Sequence, residues 1–230
     1  MAKIIAVTNQ KGGVGKTTTT INLAASLAAT KSKVLLIDLD PQGNATMGSG
    51  VDKNDLIATI NNVLLGEVAI EAVIIKNLSA GYDVVPANGE LTEAEVALVN
   101  KEQRESCLYR AINQVAGNYD IILIDCPPAL NTLTINALSA SDSVLIPMQC
   151  EYYALVGLAS LLNTITRIQE TVNPHLVSEG ILRTMYDARN KLTQQVSQQL
   201  FDHFGDKVYR TIIPRNVRLA EAPSHGQPVL

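Results

Sequence analysis

Residues 12–17, Gly-Gly-Val-Gly-Lys-Thr, constrain this chain more than any other segment. Glycines set this close together break both strand and helix. Here they follow a β-branched apolar run at residues 3–8. They precede a helical pattern at residues 17–30, in which Ile21, Leu23, Ala24, Leu27 and Ala28 share one broad face. A strand, a glycine turn and a helix start, in that order, gather backbone N–H groups into a nest at the positive end of a helix dipole. The absence of side chains lets an anion approach that nest closely. The spacing predicts a phosphate cradle over Gly12, Gly13, Val14, Gly15, Lys16, Thr17 and Thr18. Lys16 would reach the β and γ oxygens, and the Thr17 hydroxyl would face Mg²⁺.

The rest of the chain alternates strand and helix. Buried strands are expected at residues 34–37, 82–85, 121–124, 143–147, 180–185 and 208–213. Helices are expected near 56–65, 90–99, 105–115, 133–139, 155–171 and 192–204, and turn chemistry at 41–44. This rhythm predicts an α/β fold, a doubly wound, mostly parallel sheet flanked by helices, as one domain over residues 1–230. Aromatic residues make up only 4% and Trp is absent, so the core is aliphatic. Right-handed crossovers would open the loops at Gly12, Asp38–Asp40, Asp125–Pro128 and Pro147 on one sheet edge.

Two carboxylate positions join the cradle there. Asp125 closes the most apolar strand, where it can hold Mg²⁺ directly or through water. Asp38 and Asp40 flank the end of the second strand, and Asp40 is the better placed to orient an attacking water. Thr17, Asp40 and Asp125 form the metal-facing set. Lys11 puts a second ammonium ahead of the first glycine, able to neutralise charge in phosphoryl transfer or to act across a dimer. The cysteines Cys107, Cys126 and Cys150 lack metal-ligand spacing and read as free thiols. Met1 leads directly into a strand and no apolar run reaches a membrane span, so a cytoplasmic location is expected. Net charge is −4, yet residues 37–105 hold twelve acidic and four basic residues, and residues 183–218 hold seven basic and three acidic. A local basic surface in the last third is therefore expected.

Taken together, KGGVGKTT at 11–18, DLDPQGN at 38–44 and ILIDCPP at 122–128 resemble the deviant Walker A ATPases. Pro147–Tyr153, Thr184–Arg189 and Ile213–His225 make the chain similar, within that group, to the ParA/Soj partitioning proteins. The resemblance implies that Lys11 is a signature lysine touching the partner subunit's nucleotide. It implies that Gly12 to Thr18 cradle ATP or ADP, with Lys16 on the β/γ oxygens and Thr17 on Mg²⁺. Asp40 would position the hydrolytic water and Asp125 would be the Walker B carboxylate, while Pro214 and Asn216 would border adenine. It further implies an ATP-bound sandwich dimer that binds double-stranded DNA without sequence preference, through residues such as Arg189 and Arg218. A ParB-type partner would stimulate a slow intrinsic hydrolysis, and the protein would be nucleoid-associated.

Two departures are visible. No helix-turn-helix extension precedes the ATPase motifs, which disfavours the operator-binding plasmid type, and the chain ends where family members usually continue with another helix. The alternative is a MinD-like division-site ATPase, which would need a basic amphipathic C-terminal helix to hold a membrane. None is visible, so no membrane partner is expected. A nitrogenase-iron-protein-like reductase would need cluster-ligating cysteines, and Cys126 inside the DCPP turn does not suit that role.

Overall fold

In the computed structural model, which describes residues 2–77 and 79–229, the apolar runs become eight strands. They are β1 (Lys3–Val7), β2 (Val34–Asp38), β3 (Ile75–Asn77), β4 (Tyr82–Val85), β5 (Ile121–Asp125), β6 (Ser143–Gln149), β7 (Val177–Tyr186) and β8 (Val208–Pro214). The helices are α1 (Lys16–Ala29), α2 (Asn44–Gly48), α3 (Ile60–Leu65), α4 (Leu91–Leu98), α5 (Cys107–Val115), α6 (Thr132–Ala140), α7 (Ala154–Thr171), α8 (Lys191–Phe204) and α9 (Val217–Glu221).

The strands pair in one sheet in the order β3-β4-β2-β5-β1-β6-β7-β8. Every pairing is parallel except β3 with β4. Helices cover both faces, so β2 is buried at every position and β5 at all but its first. That double burial is why these strands read as continuous aliphatic runs and not as alternations. The expected doubly wound, mostly parallel sheet is the observed one. Strand order reverses on either side of β1, and the loops after β1, β2, β5 and β6 open on the same carboxyl edge. In open α/β sheets, ligand crevices form at such a switch point.

The structure departs from local expectation at the start of α3 and at two short elements. The segment expected to be helical from residue 56 becomes helix only at Ile60. Thr59 caps it: its hydroxyl accepts from Asn61 N at 3.2 Å, and the Asn62 side chain accepts from Thr59 N at 2.9 Å. That capping box fixes the start, which apolar spacing alone placed too early. The turn expected over 41–44 is present, closed by Gly43 N donating to the Asp40 carbonyl at 2.9 Å, and it leads into the short helix α2. Strand β3 and helix α9 were not expected, being three and five residues long and too short to show a period.

One buried side chain holds the far edge of the sheet. Arg183 in β7 is 6% exposed. Its Nη1 donates to Ser197 Oγ on α8 at 2.8 Å, and its Nη2 donates to the Tyr209 and Arg210 carbonyls on β8 at 3.0 and 2.9 Å. The guanidinium also lies 4.7 Å from the Phe201 ring centre and 5.6 Å from that of Tyr186. Only a planar fork reaches all these groups at once. Replacing Arg183 by Met should lower unfolding free energy by about 1–3 kcal/mol, since carbonyls on β8 lose a charged donor. Urea denaturation would measure this, and Arg183→Lys should recover less than half of the loss.

Candidate functional site

The loop between β1 and α1 is held open from below. Gly13 and Gly15 take φ of +71° and +85°, a left-handed backbone that disfavours side chains. An added Cβ at Gly12 or Gly13 would meet nothing within 4 Å, so these glycines front an open concavity. Buried Asn9 donates through Nδ2 to the Pro147 carbonyl at 2.8 Å, and its Oδ1 accepts from Lys11 N at 3.0 Å. Thr184 Oγ1 donates to the Val14 carbonyl at 2.7 Å. The ends of β6 and β7 thus anchor the loop.

Below the loop lies a buried carboxylate. Asp125 is fully buried; its Oδ2 accepts from Thr17 Oγ1 at 2.7 Å, and Thr20 Oγ1 lies 3.0 Å from its Oδ1. Thr20 Oγ1 is also 3.0 Å from the Lys16 carbonyl, so its single proton serves one acceptor at a time. Burial, and next the nearby Asp38 carboxylate, push the Asp125 carboxyl well above the ordinary range. Lys16 is 7% exposed, and its Nζ reaches the Lys11 carbonyl at 3.4 Å. Burial draws its pKa down, against the opposing pull of Asp125. A hydroxyl and a buried carboxylate short of positive charge are hard oxygen donors, suited to Mg²⁺.

The two aspartates at the end of β2 and just beyond it have different tasks. Asp38 is fully buried and accepts from Thr46 N at 2.8 Å, Thr46 Oγ1 at 2.7 Å and Asp40 N at 3.1 Å. Burial raises its pKa as well. It organises the turn. Asp40 follows at the cleft, its Oδ1 accepting from Gln42 N at 2.9 Å. Gly43 closes this turn at φ +62°, where a Cβ would sit 2.7 Å from the Ala87 carbonyl.

A cleft of about 490 Å³ brings together Gly12, Gly13, Gly15, Lys16, Thr17, Thr18 and Asp40 on one side with Pro214, Arg215 and Asn216 on the other. Asn216 also caps α9, accepting from Arg218 N at 2.9 Å. The remaining expected residues lie outside it. Val14 is buried and offers its carbonyl to Thr184. Asp125 sits beneath Thr17, outside the cleft wall. The Lys11 ammonium pairs with the Glu151 carboxylate. Arg189 is exposed and grips Asp187 with two bonds of 3.0 Å, which hold that carboxyl down at about 2. Arg218 is exposed on α9. Sequence reasoning missed Thr20, Glu151, Gln42, Thr184 and Met185. Thr20 was within reach, since it lies one helical turn from Thr17. Glu151 lies 140 residues from Lys11 and gave no signal.

Among the described residues, no helix is long and apolar enough to cross a membrane. The described cysteines are free and buried.

Fold and loop together define a P-loop protein of the doubly wound type. A family model described as AAA domain matches residues 2–178. The sporulation initiation inhibitor protein Soj of Bacillus subtilis is 54% identical over 230 residues, spanning 100% of this chain and 91% of that protein. The chromosome partitioning protein ParA of Caulobacter vibrioides is 48% identical, spanning 99% of this chain and 86% of that one. The structure of cobyrinic acid a,c-diamide synthase from Mycobacterium smegmatis, with ADP and magnesium bound, superposes with a TM-score of 0.90. It is 38% identical and covers 98% of this chain and 93% of its own. The chain belongs to the ParA/Soj family of partitioning ATPases.

The buried carboxylates give the nucleotide-free protein a pH signature. A carboxyl whose pKa rises on folding stabilises the fold only while protonated. Stability should therefore fall as pH climbs from about 4, the ordinary carboxylate range, towards about 8, the value to which Asp125 is raised. Asp125→Asn keeps the shape, and its Nδ2 can donate to Thr20 Oγ1 while that hydroxyl serves the Lys16 carbonyl. The variant should be more stable than the parent at pH 8 by about 1–3 kcal/mol, with little difference at pH 4. Thermal melts without nucleotide across that range would show it.

Proposed function

We propose that this chain couples ATP binding and hydrolysis to DNA partitioning, as an ATP-bound sandwich dimer on nonspecific double-stranded DNA in the cytoplasm, at the nucleoid. The observation that carries the reading is the convergence of Lys16, Thr17 and Asp40 on one cleft above buried Asp125. Gly12 to Thr18 receive the phosphates, with Lys16 as counter-charge to the β/γ oxygens. Thr17 and Asp125 would hold Mg²⁺, which when bound would supply charge neutralisation to the phosphate oxygens. Asp40, counted in the metal-facing set, stands at the cleft rim where its carboxylate accepts a proton from, and orients, the attacking water. Pro214 and Asn216 border adenine on the opposite wall. The Mycobacterium smegmatis structure, which holds ADP and magnesium on the same fold, supports ATP/ADP and Mg²⁺ as cofactors. The residues 1–230 act as a single ATPase domain in this reading.

Lys11 supplies a second cation, reaching the nucleotide of the partner subunit. Arg189 and Arg218 are exposed cations in the basic last third, with Lys207 and Arg215 as further candidates. Several such charges on one face suffice for sequence-independent phosphate contact, and dimerisation doubles the patch. Arg189 must exchange Asp187 for phosphate to take part. A ParB-type partner accelerates hydrolysis, since a switch gains from a long-lived ATP state.

Binding to nonspecific duplex DNA should appear with ATP, be absent with ADP or no nucleotide, and weaken steeply with salt. Arg189→Ala, Arg218→Ala and Lys11→Ala should each reduce it. Nucleotide-independent DNA binding would overturn the gating. Asp40→Ala should keep ATP affinity within a few-fold while turnover falls about 10²-fold or more. Lys16→Ala should lose nucleotide binding itself.

A further inference from the structure

Lys11 is already occupied. Its ammonium pairs with the carboxylate of Glu151, which follows Cys150 beyond the end of β6. The same strand end fixes the other half of the pair. Asn9 donates to Pro147 of β6 and accepts from Lys11 N, so the Lys11 backbone is tied to the strand that delivers Glu151. The Lys11 carbonyl in turn receives the Lys16 ammonium. Both cations flanking the phosphate nest are thus satisfied by protein oxygens. The pair is 40% and 45% exposed at its two side chains, so packing does not lock it. Exposed pairs of this kind are weak enough to exchange with a triphosphate.

We infer that Glu151 is a positioning residue for Lys11, a carboxylate latch that holds the lysine in its own subunit until nucleotide phosphates displace it. The inference rests on the reading of Lys11 as a nucleotide-contacting lysine. Glu151 does not line the cleft, and its effect runs through the Lys11 ammonium. The latch sets a competition: carboxylate charge opposes the ATP state, and removing that charge favours it.

The test measures binding of fluorescently labelled ATP, with Mg²⁺, to the parent, Glu151→Gln, Lys11→Ala and the double variant, with sedimentation velocity on the same samples. Glu151→Gln should tighten ATP binding about two- to fivefold, the range set by exposed ion pairs. The same substitution in the Lys11→Ala background should change nothing. Glu151→Asp, which keeps the charge, should bind as the parent does. The latch is overturned if Glu151→Gln binds ATP no more tightly than the parent, or if the gain persists without Lys11. If the parent stays monomeric with ATP while the Lys11-dependent gain is present, the sandwich dimer fails and the latch stands, acting within one subunit. If the parent dimerises and the gain is absent, the dimer stands and the latch falls.

Discussion

A carboxylate shut off from solvent sits under the loop, and the rest of the site depends on how it is satisfied. Asp125 ends the central strand β5, and the first turn of α1 sets two hydroxyls against it, Thr17 at 2.7 Å and Thr20 at 3.0 Å. Those bonds fix the rotation of α1 on the sheet. They therefore fix the direction of the nest that opens the same helix. Neutral hydroxyls only partly offset the cost of burying such a charge. The nearest cation, Lys16, bonds to a backbone carbonyl and not to the carboxylate. A divalent ion brought in with a polyphosphate would supply the missing charge.

The sheet makes this arrangement repeatable along its edge. Parallel strands deliver their carboxyl ends together, so Asp38 and Asp125 stand opposite each other in the β2–β5 register. Burial raises both pKa values, and the Asp38 charge adds to the rise at Asp125. Asp38 is compensated by three donors from its own turn, and that compensation projects Asp40 into the cleft. One aspartate is spent on structure so that the next is free for chemistry.

Much of this was legible because local chemistry and global fold agree. The glycine loop, the aliphatic strands and the carboxylates at their ends are each set by the positions they occupy in the chain. Position in the turn already favoured Asp40 over Asp38; the bonds from Thr46 that commit Asp38 to the turn are visible only in the structure. The start of α3 was misjudged because a capping box competes with apolar spacing and wins. β3 and α9 escaped because three and five residues hold no period. Glu151 and Thr184 escaped for a different reason. Each bonds to the loop from more than a hundred residues away, a link that sheet topology creates and linear pattern does not carry.

Those long-range bonds tie the cradle to the sheet half that carries the basic residues. Thr184, on β7, holds the Val14 carbonyl and lines the cleft; three residues later Asp187 grips Arg189. Arg215, on the cleft wall, lies near enough to Asp187 to lower its pKa further. A ligand in the cleft and a ligand at Arg189 would therefore meet the two ends of one short segment, Thr184 to Arg189, whose backbone is already pinned to the phosphate loop at Val14.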